Sequence, residues 1–572
     1  MNTTPIIFEP NVEGVMRDGV VLRADVWRPD KPGRFPVLLT RTPYDKTHPR
    51  ISMTASLDPR RVVPHDYVMV FQDTRGRFAS DGDPNDIVRG SAEDGYDSVE
   101  WAASLPYSDG NVGMFGISYM AMTQWLAAFS KPPHLRTIVP QQFGDDRLQY
   151  PGRSIGLAFN LSWVIGQSID TLTKRAANGE DVSSLLADAQ VALDDLGKAC
   201  EAVPLRGGLP FIHEVSPLYD AWLDSYVATK RPRNLMARVT EVDVPVCNIG
   251  GWYDPWCTNT TENFAGSRHA GDEAPTRGSQ KLMVGPWGHG QFEEYLGDLS
   301  FGASSSGIAA GIEDLQIRWF DHWLKGIDNG IDAEPPVRIF VMGINQWRDE
   351  HEWPLARTVW TDYYLHSGGR ANGPGSDGTL DTIVPGHEPV DVFLNDPRNP
   401  VPTVGSSTVG IQEINGPRDQ ARVETRSDVL TYTTPVLTDD LEVTGPVAAT
   451  LFASTDAADT DWIVKLVDVH PDGRAFNLTD GVVRARYRNG PEDLLEPGEV
   501  YEYQLDIQVT SNVFKRGHRI RVHVSSTDFP RLHRNPNTGR PILDDGALVP
   551  VLQTVLHDTD HPSRVTLPVI PR

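Results

Sequence analysis

A mostly parallel α/β sheet with helices on both faces, interrupted by an all-helical segment and followed by an all-β domain, is the fold class the sequence predicts. Three observations predict it. Short apolar runs alternate with helical stretches over the first part of the chain, the pattern of a parallel sheet. Residues 145–240 break that rhythm and carry Ala and Leu at helical spacing. From about residue 335, short β-type runs follow one another with turn residues and no helices between them, as in a sandwich or jelly roll.

Taken in order, residues 6–16 and 20–28 read as strands around Arg17-Asp18-Gly19, whose Asp-Gly is a hairpin signal. Residues 35–40 (FPVLLT) and 67–72 (YVMVFQ) are apolar runs of the buried-strand kind. Residues 92–104 have helical spacing and lead into a strand whose end is 111–115; a helix over 119–129 follows. Residues 137–142, 244–250 and 281–285 are further strands, and 312–326 is a helix with inward-facing aromatics. Inside the insertion, 183–203 and 217–229 read as helices. The β-rich part reads as strands at 337–342, 358–365, 428–433, 447–453, 462–469, 481–487, 500–508, 518–525 and 563–567, with loops at 368–381 and 396–416. The expected division is 1–144 with 241–334 for the α/β unit, 145–240 for a helical cap, and 335–572 for a jelly-roll β-sandwich.

Composition narrows the function. At 572 residues, with 39% hydrophobic and 23% charged positions, the chain is a globular protein of several domains. A formal charge of −25 argues against nucleic acid or an anionic membrane as partner. No apolar run is long enough to span a bilayer. The first residues lack the basic start and apolar core of a signal peptide, so a cytoplasmic setting is expected. Cys200, Cys247 and Cys257 have no metal-ligand spacing and are too few for a disulfide framework. The cluster His557-Asp558-Thr559-Asp560-His561 is read as a polar turn, and no metal or cofactor is expected.

Gly116-Ile117-Ser118-Tyr119-Met120 carries the chemistry. A serine on a tight strand-to-helix turn has its hydroxyl forced out at the positive end of a helix, the nucleophile elbow of an α/β-hydrolase fold. Met120 stands where a second glycine is usual, and the small Ala121 offers relief one position later. Gly152-Arg153-Ser154-Ile155-Gly156 matches the literal G-x-S-x-G pattern better, but no buried strand precedes it. A serine nucleophile needs a base and an orienting carboxylate, in the order Ser, Asp or Glu, His. The chain has 16 His and 77 acidic residues, so their mere presence downstream is uninformative. Asp254 in Gly250-Gly251-Trp252-Tyr253-Asp254 and His289 in Pro286-Trp287-Gly288-His289-Gly290 each stand just past a strand, amid glycines. The oxyanion hole needs two donors. The N–H of Tyr119 is one; in the loop after the third strand Tyr44 is either a phenolic donor or a packing residue.

RTPYDK (41–46), QDTRGRFASDG (72–82), EDGYDSVEW (93–101), GMFGISYMAMTQWLAA (113–128), GGWYDPW (250–256), GPWGHG (285–290) and VRIFVMGINQWRDEHEWP (337–354) together resemble the cocaine esterase family. That family is grouped with X-Pro dipeptidyl peptidases, α-amino-acid ester hydrolases and glutaryl-cephalosporin acylases. The resemblance implies an α/β-hydrolase domain, a helical cap and a C-terminal jelly roll. It implies Ser118, Asp254 and His289 as catalytic residues and Tyr44 as the side-chain oxyanion donor. Cap tryptophans line part of the family's acyl pocket, and Trp163 stands in a cap position.

The expected function is therefore cofactor-free hydrolysis of small-molecule acyl esters by a serine hydrolase. Amino-acid ester hydrolases carry extra carboxylates just after the triad aspartate to grip an ammonium group; here the first acid after Asp254 is Glu262. No anchor motif for the free amine of an X-Pro substrate is present either. An amide-cleaving acylase or an X-Pro dipeptidyl-peptidase-like enzyme is the alternative reading, and a non-catalytic binding protein on a hydrolase scaffold is the remote one. The jelly-roll edge offers a surface for a homodimer.

Overall fold

In the computed structural model, residues 5–49, 57–85, 89–144, 149–150, 154–227, 235–268 and 279–571 are described. The first sheet has ten strands: β1 (Ile6–Val15), β2 (Val21–Pro29), β3 (Phe35–Thr42), β4 (Val68–Asp73), β5 (Ser108–Ile117), β6 (Leu135–Gln141), β7 (Val246–Tyr253), β8 (Gln280–Gly288), β9 (Val337–Val341) and β10 (Gln346–Glu350). Their spatial order is β1-β2-β4-β3-β5-β6-β7-β8-β9-β10. Every neighbouring pair from β4 to β9 is parallel, so the C-terminal ends of these strands share one edge. Each central strand is buried on both faces, which is why it reads as a continuous apolar run.

Helices α1 (Arg89–Ser104), α2 (Tyr119–Ser130), α6 (Cys257–Arg268) and α7 (Ile312–Lys325) belong to this unit. The aromatics of α7 turn inward as expected, Trp319 and Phe320 being buried, and Gly326 ends the helix in the left-handed region. The cap holds α3 (Leu157–Ala177), α4 (Ser183–Asp194) and α5 (Pro217–Val227). The expected helix over 183–203 breaks at Asp195, whose side chain caps a separate short turn, Leu196–Ala199. Residues 228 and 229 of the other expected cap helix lie outside the described residues.

The C-terminal part is β-rich. Its strands are β11 (Val359–His366), β12 (Thr379–Asp381), β13 (Asp391–Asn395), β14 (Leu430–Thr433), β15 (Leu441–Thr455), β16 (Asp461–Val469), β17 (Ala475–Arg484), β18 (Tyr501–Phe514), β19 (Arg519–Ser525), β20 (Val551–Leu556) and β21 (Arg564–Ile570). They form one 11-stranded sheet, antiparallel apart from β12 against β14, in which the long β15 pairs with β18, β20 and β21.

Residues 337–342, read from the sequence as the first strand of the β-rich part, instead continue the first sheet: β9 pairs parallel with β8, and β10 closes that edge. The two parts share one core, across which Tyr253 donates to the Asn477 carbonyl at 3.2 Å. The cap core likewise takes in Tyr487, Ile542 and Leu543 from the β-rich part. Among the described residues, no helix is long and apolar enough to cross a membrane.

Candidate active site

Ser118 follows β5 and caps α2 with φ 61° and ψ −125°, a conformation that a non-glycine residue adopts only when its surroundings enforce it. Its N–H donates to the Gln141 carbonyl at 2.9 Å, and its own carbonyl takes the first helical bonds from Ala121 and Met122. Gly116 makes the turn possible: a Cβ there, at φ 132°, would stand 2.6 Å from Met120 Cβ and 2.9 Å from Thr40 Oγ1. The crowding that Met120 introduces is thus relieved at Gly116.

The register of the parallel strands assembles the rest. Tyr253 and Gly288 are paired partners on β7 and β8, so Asp254 and His289, one residue further on, are neighbours. Asp254 Oδ2 lies 2.6 Å from His289 Nδ1, and Asp254 Oδ1 accepts from the Trp256 N–H at 2.8 Å. Asp254 is fully buried, whereas the His289 ring keeps some exposure and packs edge-on against Trp256 at 4.9 Å. Close backbone approach between the two loops depends on Gly251, where a Cβ would meet the Trp287 carbonyl oxygen at 2.3 Å. The His289 loop abuts the elbow: a Cβ on Gly290 would stand 3.9 Å from Ile117 Cδ1.

Tyr44, after β3, turns its phenol toward the elbow. The hydroxyl accepts from Trp163 Nε1 at 3.2 Å and has the Ser118 side chain among its polar neighbours. Burial pushes the phenol up to about 12, so it is a protonated donor at neutral pH. The Tyr119 ring packs against both, edge-on to Tyr44 at 6.2 Å and stacked on Trp163 at 6.4 Å. Tyr119 is the first residue of α2, so its N–H belongs to the helix's positive end.

Ser118, Tyr44, Tyr119 and Trp163 therefore form one cluster, with Asp254 and His289 beside it on the same sheet edge. Ser154 is elsewhere. It is fully buried in a two-residue strand paired with Gln149–Tyr150, and among the described residues its hydroxyl has no hydrogen-bond partner. His557 is also interior, held between Asp391 at 2.9 Å and Glu388 at 3.1 Å, away from the elbow.

The sequence reading missed three residues here. Phe159 and Trp256 pack edge-on at 5.3 Å, and Phe159 lies one helical turn before Trp163 on α3. The signal for Phe159 was its i, i+4 spacing with Trp163 on a cap helix. Gln142 was read as the end of a strand, but it sits just past β6 in the left-handed region at φ 47°. Fully buried, it donates from Nε2 to the Gly288 carbonyl at 2.9 Å and accepts the Gly290 N–H on Oε1 at 2.7 Å. It therefore clamps the peptide groups on both sides of His289.

Comparison with known proteins agrees with this architecture. Residues 18–291 match the model of the X-Pro dipeptidyl-peptidase (S15) family, and residues 329–566 match that of the X-Pro dipeptidyl-peptidase C-terminal non-catalytic domain. Cocaine esterase of Rhodococcus sp. (strain MB1 Bresler) is 39% identical, with 98% of each chain covered. The structure of an α-amino acid ester hydrolase superposes with a TM-score of 0.79 at 25% identity, covering 99% of this chain and 97% of that one. An aminopeptidase from a Thaumarchaeota archaeon superposes with a TM-score of 0.78 at 23% identity over 99% and 97%, a likeness of fold. With an α/β-hydrolase fold, a C-terminal β-rich domain and this relationship along its whole length, the chain belongs to the cocaine esterase family of S15-type serine hydrolases and is an ester hydrolase acting on small molecules.

Proposed function

We propose that Ser118 is the nucleophile of this ester hydrolase, His289 its general base, Asp254 the carboxylate that orients His289, and Tyr44 and Tyr119 the oxyanion donors. One observation carries the reading: the strained Ser118 elbow shares a sheet edge with the 2.6 Å Asp254–His289 pair. His289 accepts the Ser118 proton as Oγ bonds to the ester carbonyl carbon. The carbonyl π electrons move onto oxygen, where the Tyr44 O–H and the Tyr119 N–H stabilise the charge; such a donor contributes about 3 kcal/mol. Collapse breaks the bond to the alkoxy oxygen, and His289 returns the proton to the departing alcohol. Water then repeats the sequence on the acyl-enzyme and releases the acid. These groups complete the reaction without a cofactor.

The wall of Tyr44, Tyr119, Phe159, Trp163 and Trp256 supports an apolar, aromatic-tolerant acyl group. A second reading, amide cleavage, is favoured by the X-Pro dipeptidyl-peptidase family match. Against a free-amine anchor close to Asp254, the first acid after it is Glu262, which is exposed on α6. A panel of p-nitrophenyl esters and anilides, from acetyl to benzoyl and glutaryl, separates the readings. Ester turnover with benzoyl among the best acyl groups, lost in Ser118→Ala and kept in Ser154→Ala, is the expected result. Turnover surviving in Ser118→Ala overturns the assignment, and turnover of anilides alone moves the function to an acylase.

We further propose a cytoplasmic setting, which the three free, buried cysteines support. A homodimer through the β-rich edge is supported by β13, where Val392 and Leu394 are exposed beside Leu552 of β20. Light scattering of the protein against a Leu394→Lys variant tests it; a monomer in both removes the proposal.

A further inference from the structure

At the seam between the first sheet and the β-rich domain, a cavity of about 410 Å³ opens between Tyr253, Met342, Asn512 and Lys515. Two imidazoles and a carboxylate share its wall. Asp468 is the penultimate residue of β16, His470 follows that strand, and His518 directly precedes β19. The antiparallel register, Asp468 opposite Ile520 and Val469 opposite Arg519, brings His470 and His518 face to face. Their ring centroids are 4.4 Å apart.

His518 Nδ1 lies 2.8 Å from Asp468 Oδ1, and His470 Nε2 lies 3.9 Å from Asp468 Oδ2. Asn512 Nδ2 also lies 3.5 Å from Oδ2.

Some buried carboxylates of the β-rich domain face arginine, whereas Asp468, like Asp391, faces histidine. Asp459, Asp461 and Asp480 each face an arginine, Arg486 at 2.7 Å, Arg484 at 2.8 Å and Arg531 at 2.6 Å. Asp468 is equally buried, but among the described residues no Lys or Arg lies within ion-pair distance of it, Lys515 on the same cavity wall included. A buried charge needs compensation.

We propose that Asp468, His470 and His518 bind a divalent transition-metal ion at the seam between the two domains. One atom from each of the three side chains lies within 4.8 Å of the others. Atoms bound at about 2.0–2.2 Å to one tetrahedral ion stand roughly 3.5 Å apart, so on binding the 3.9 Å His470–Asp468 approach closes slightly and the 2.8 Å His518–Asp468 contact opens. His470 is partly exposed and has room to turn. Two imidazole nitrogens and a carboxylate oxygen suit zinc or a similar ion, and three protein ligands leave a fourth position open to water in the cavity.

The test uses the full-length protein, stripped with a chelator. ZnCl2 is titrated at neutral pH in competition with a chromophoric chelator, and CoCl2 is followed by visible absorption. The expected result is one ion per chain, with affinity at least about 100-fold weaker in His470→Ala, His518→Ala and Asp468→Asn, since even outer-shell changes cost about 10–100-fold. Zinc is also expected to raise the melting temperature of the wild type and not of the variants. His470→Ala removes a partly exposed ring and decides the matter if the more buried changes impair folding; ester turnover serves as the folding control. Absence of a saturable ion in the wild type, or an ion held equally well by His470→Ala, overturns the proposal.

Discussion

The indole N–H of Trp163 donates to the phenol oxygen of Tyr44 at 3.2 Å. Since the phenol oxygen accepts from Trp163, its own proton is free to point toward Ser118. On the proposed mechanism Trp163 acts through Tyr44 as well as walling the acyl site. Tyr44→Phe is expected to lower kcat on p-nitrophenyl benzoate by about 10²–10³-fold. Trp163→Phe keeps the ring and removes the N–H, and is expected to lower kcat by about 10-fold with little change in KM. The double variant should be no slower than Tyr44→Phe alone. Additive losses, or an effect confined to KM, would assign Trp163 to acyl binding only.

The same phenol sets an alkaline boundary. Only its neutral form donates, and burial holds its pKa up at about 12. An ordinary tyrosine would begin to fail near pH 10. The expected kcat/KM profile therefore shows no Tyr44-dependent fall between about pH 8.5 and 10.5, where an unshifted phenol would already be losing its proton. A limb centred near 10 that vanishes in Tyr44→Phe would keep the phenol as donor and contradict the upward shift that burial gives it.

Gln142 is expected to be a positioning residue for His289. Gln142→Leu leaves the Gly290 N–H without its acceptor and the Gly288 carbonyl with the Gln291 N–H at 3.2 Å, a cost of about 1–3 kcal/mol for the group left unpaired. Both a lower melting temperature and a lower kcat should follow. Gln142→Glu keeps the acceptor for Gly290 and loses the donor for Gly288, so it should recover part of the kcat. Stability lost with kcat unchanged would reduce Gln142 to a structural role.

The catalytic sheet was legible because its central strands are buried on both faces and each site loop follows one of them directly. Ser118, Asp254 and His289 could be placed just past strand ends for that reason. Edge strands were harder. Gln346–Glu350 is polar (QWRDE), having a neighbour on one side only, and gave no apolar signal. Asp391–Asn395 begins and ends in residues that read as turn formers, yet Asp391 is buried by His557, Ser367 and Tyr432 from distant segments. Gln142 and the Asp468–His470–His518 group were invisible for a related reason: their partners are set by strand register, and nothing in local spacing announces it.

Asp254→Asn tests the orienting carboxylate. The change is isosteric, but an amide cannot hold the His289 tautomer that accepts from Ser118, and kcat is expected to fall by about 10⁴-fold. The melting temperature should stay level or rise, because a fully buried charge is removed. A loss of kcat below about 10-fold would remove Asp254 from the mechanism.

Gly116 and Met120 offer a test of the elbow itself. Alanine at 116 would place a Cβ 2.6 Å from Met120 Cβ, on a backbone at φ 132° that L side chains rarely adopt. Overpacking typically costs about 1–3 kcal/mol and backbone strain a similar amount. Gly116→Ala should therefore melt well below the wild type and lose turnover with its displaced serine. Met120→Gly in the Gly116→Ala background removes the Cβ conflict and restores the second glycine of the usual motif. It leaves the φ strain and the 2.9 Å approach to Thr40 Oγ1, so recovery should be partial. Paired thermal melts and kcat values for the two variants would separate the steric part from the backbone part. Full recovery in the double variant would mean that φ 132° costs little here, and no recovery would mean that the Met120 contact was never the obstacle.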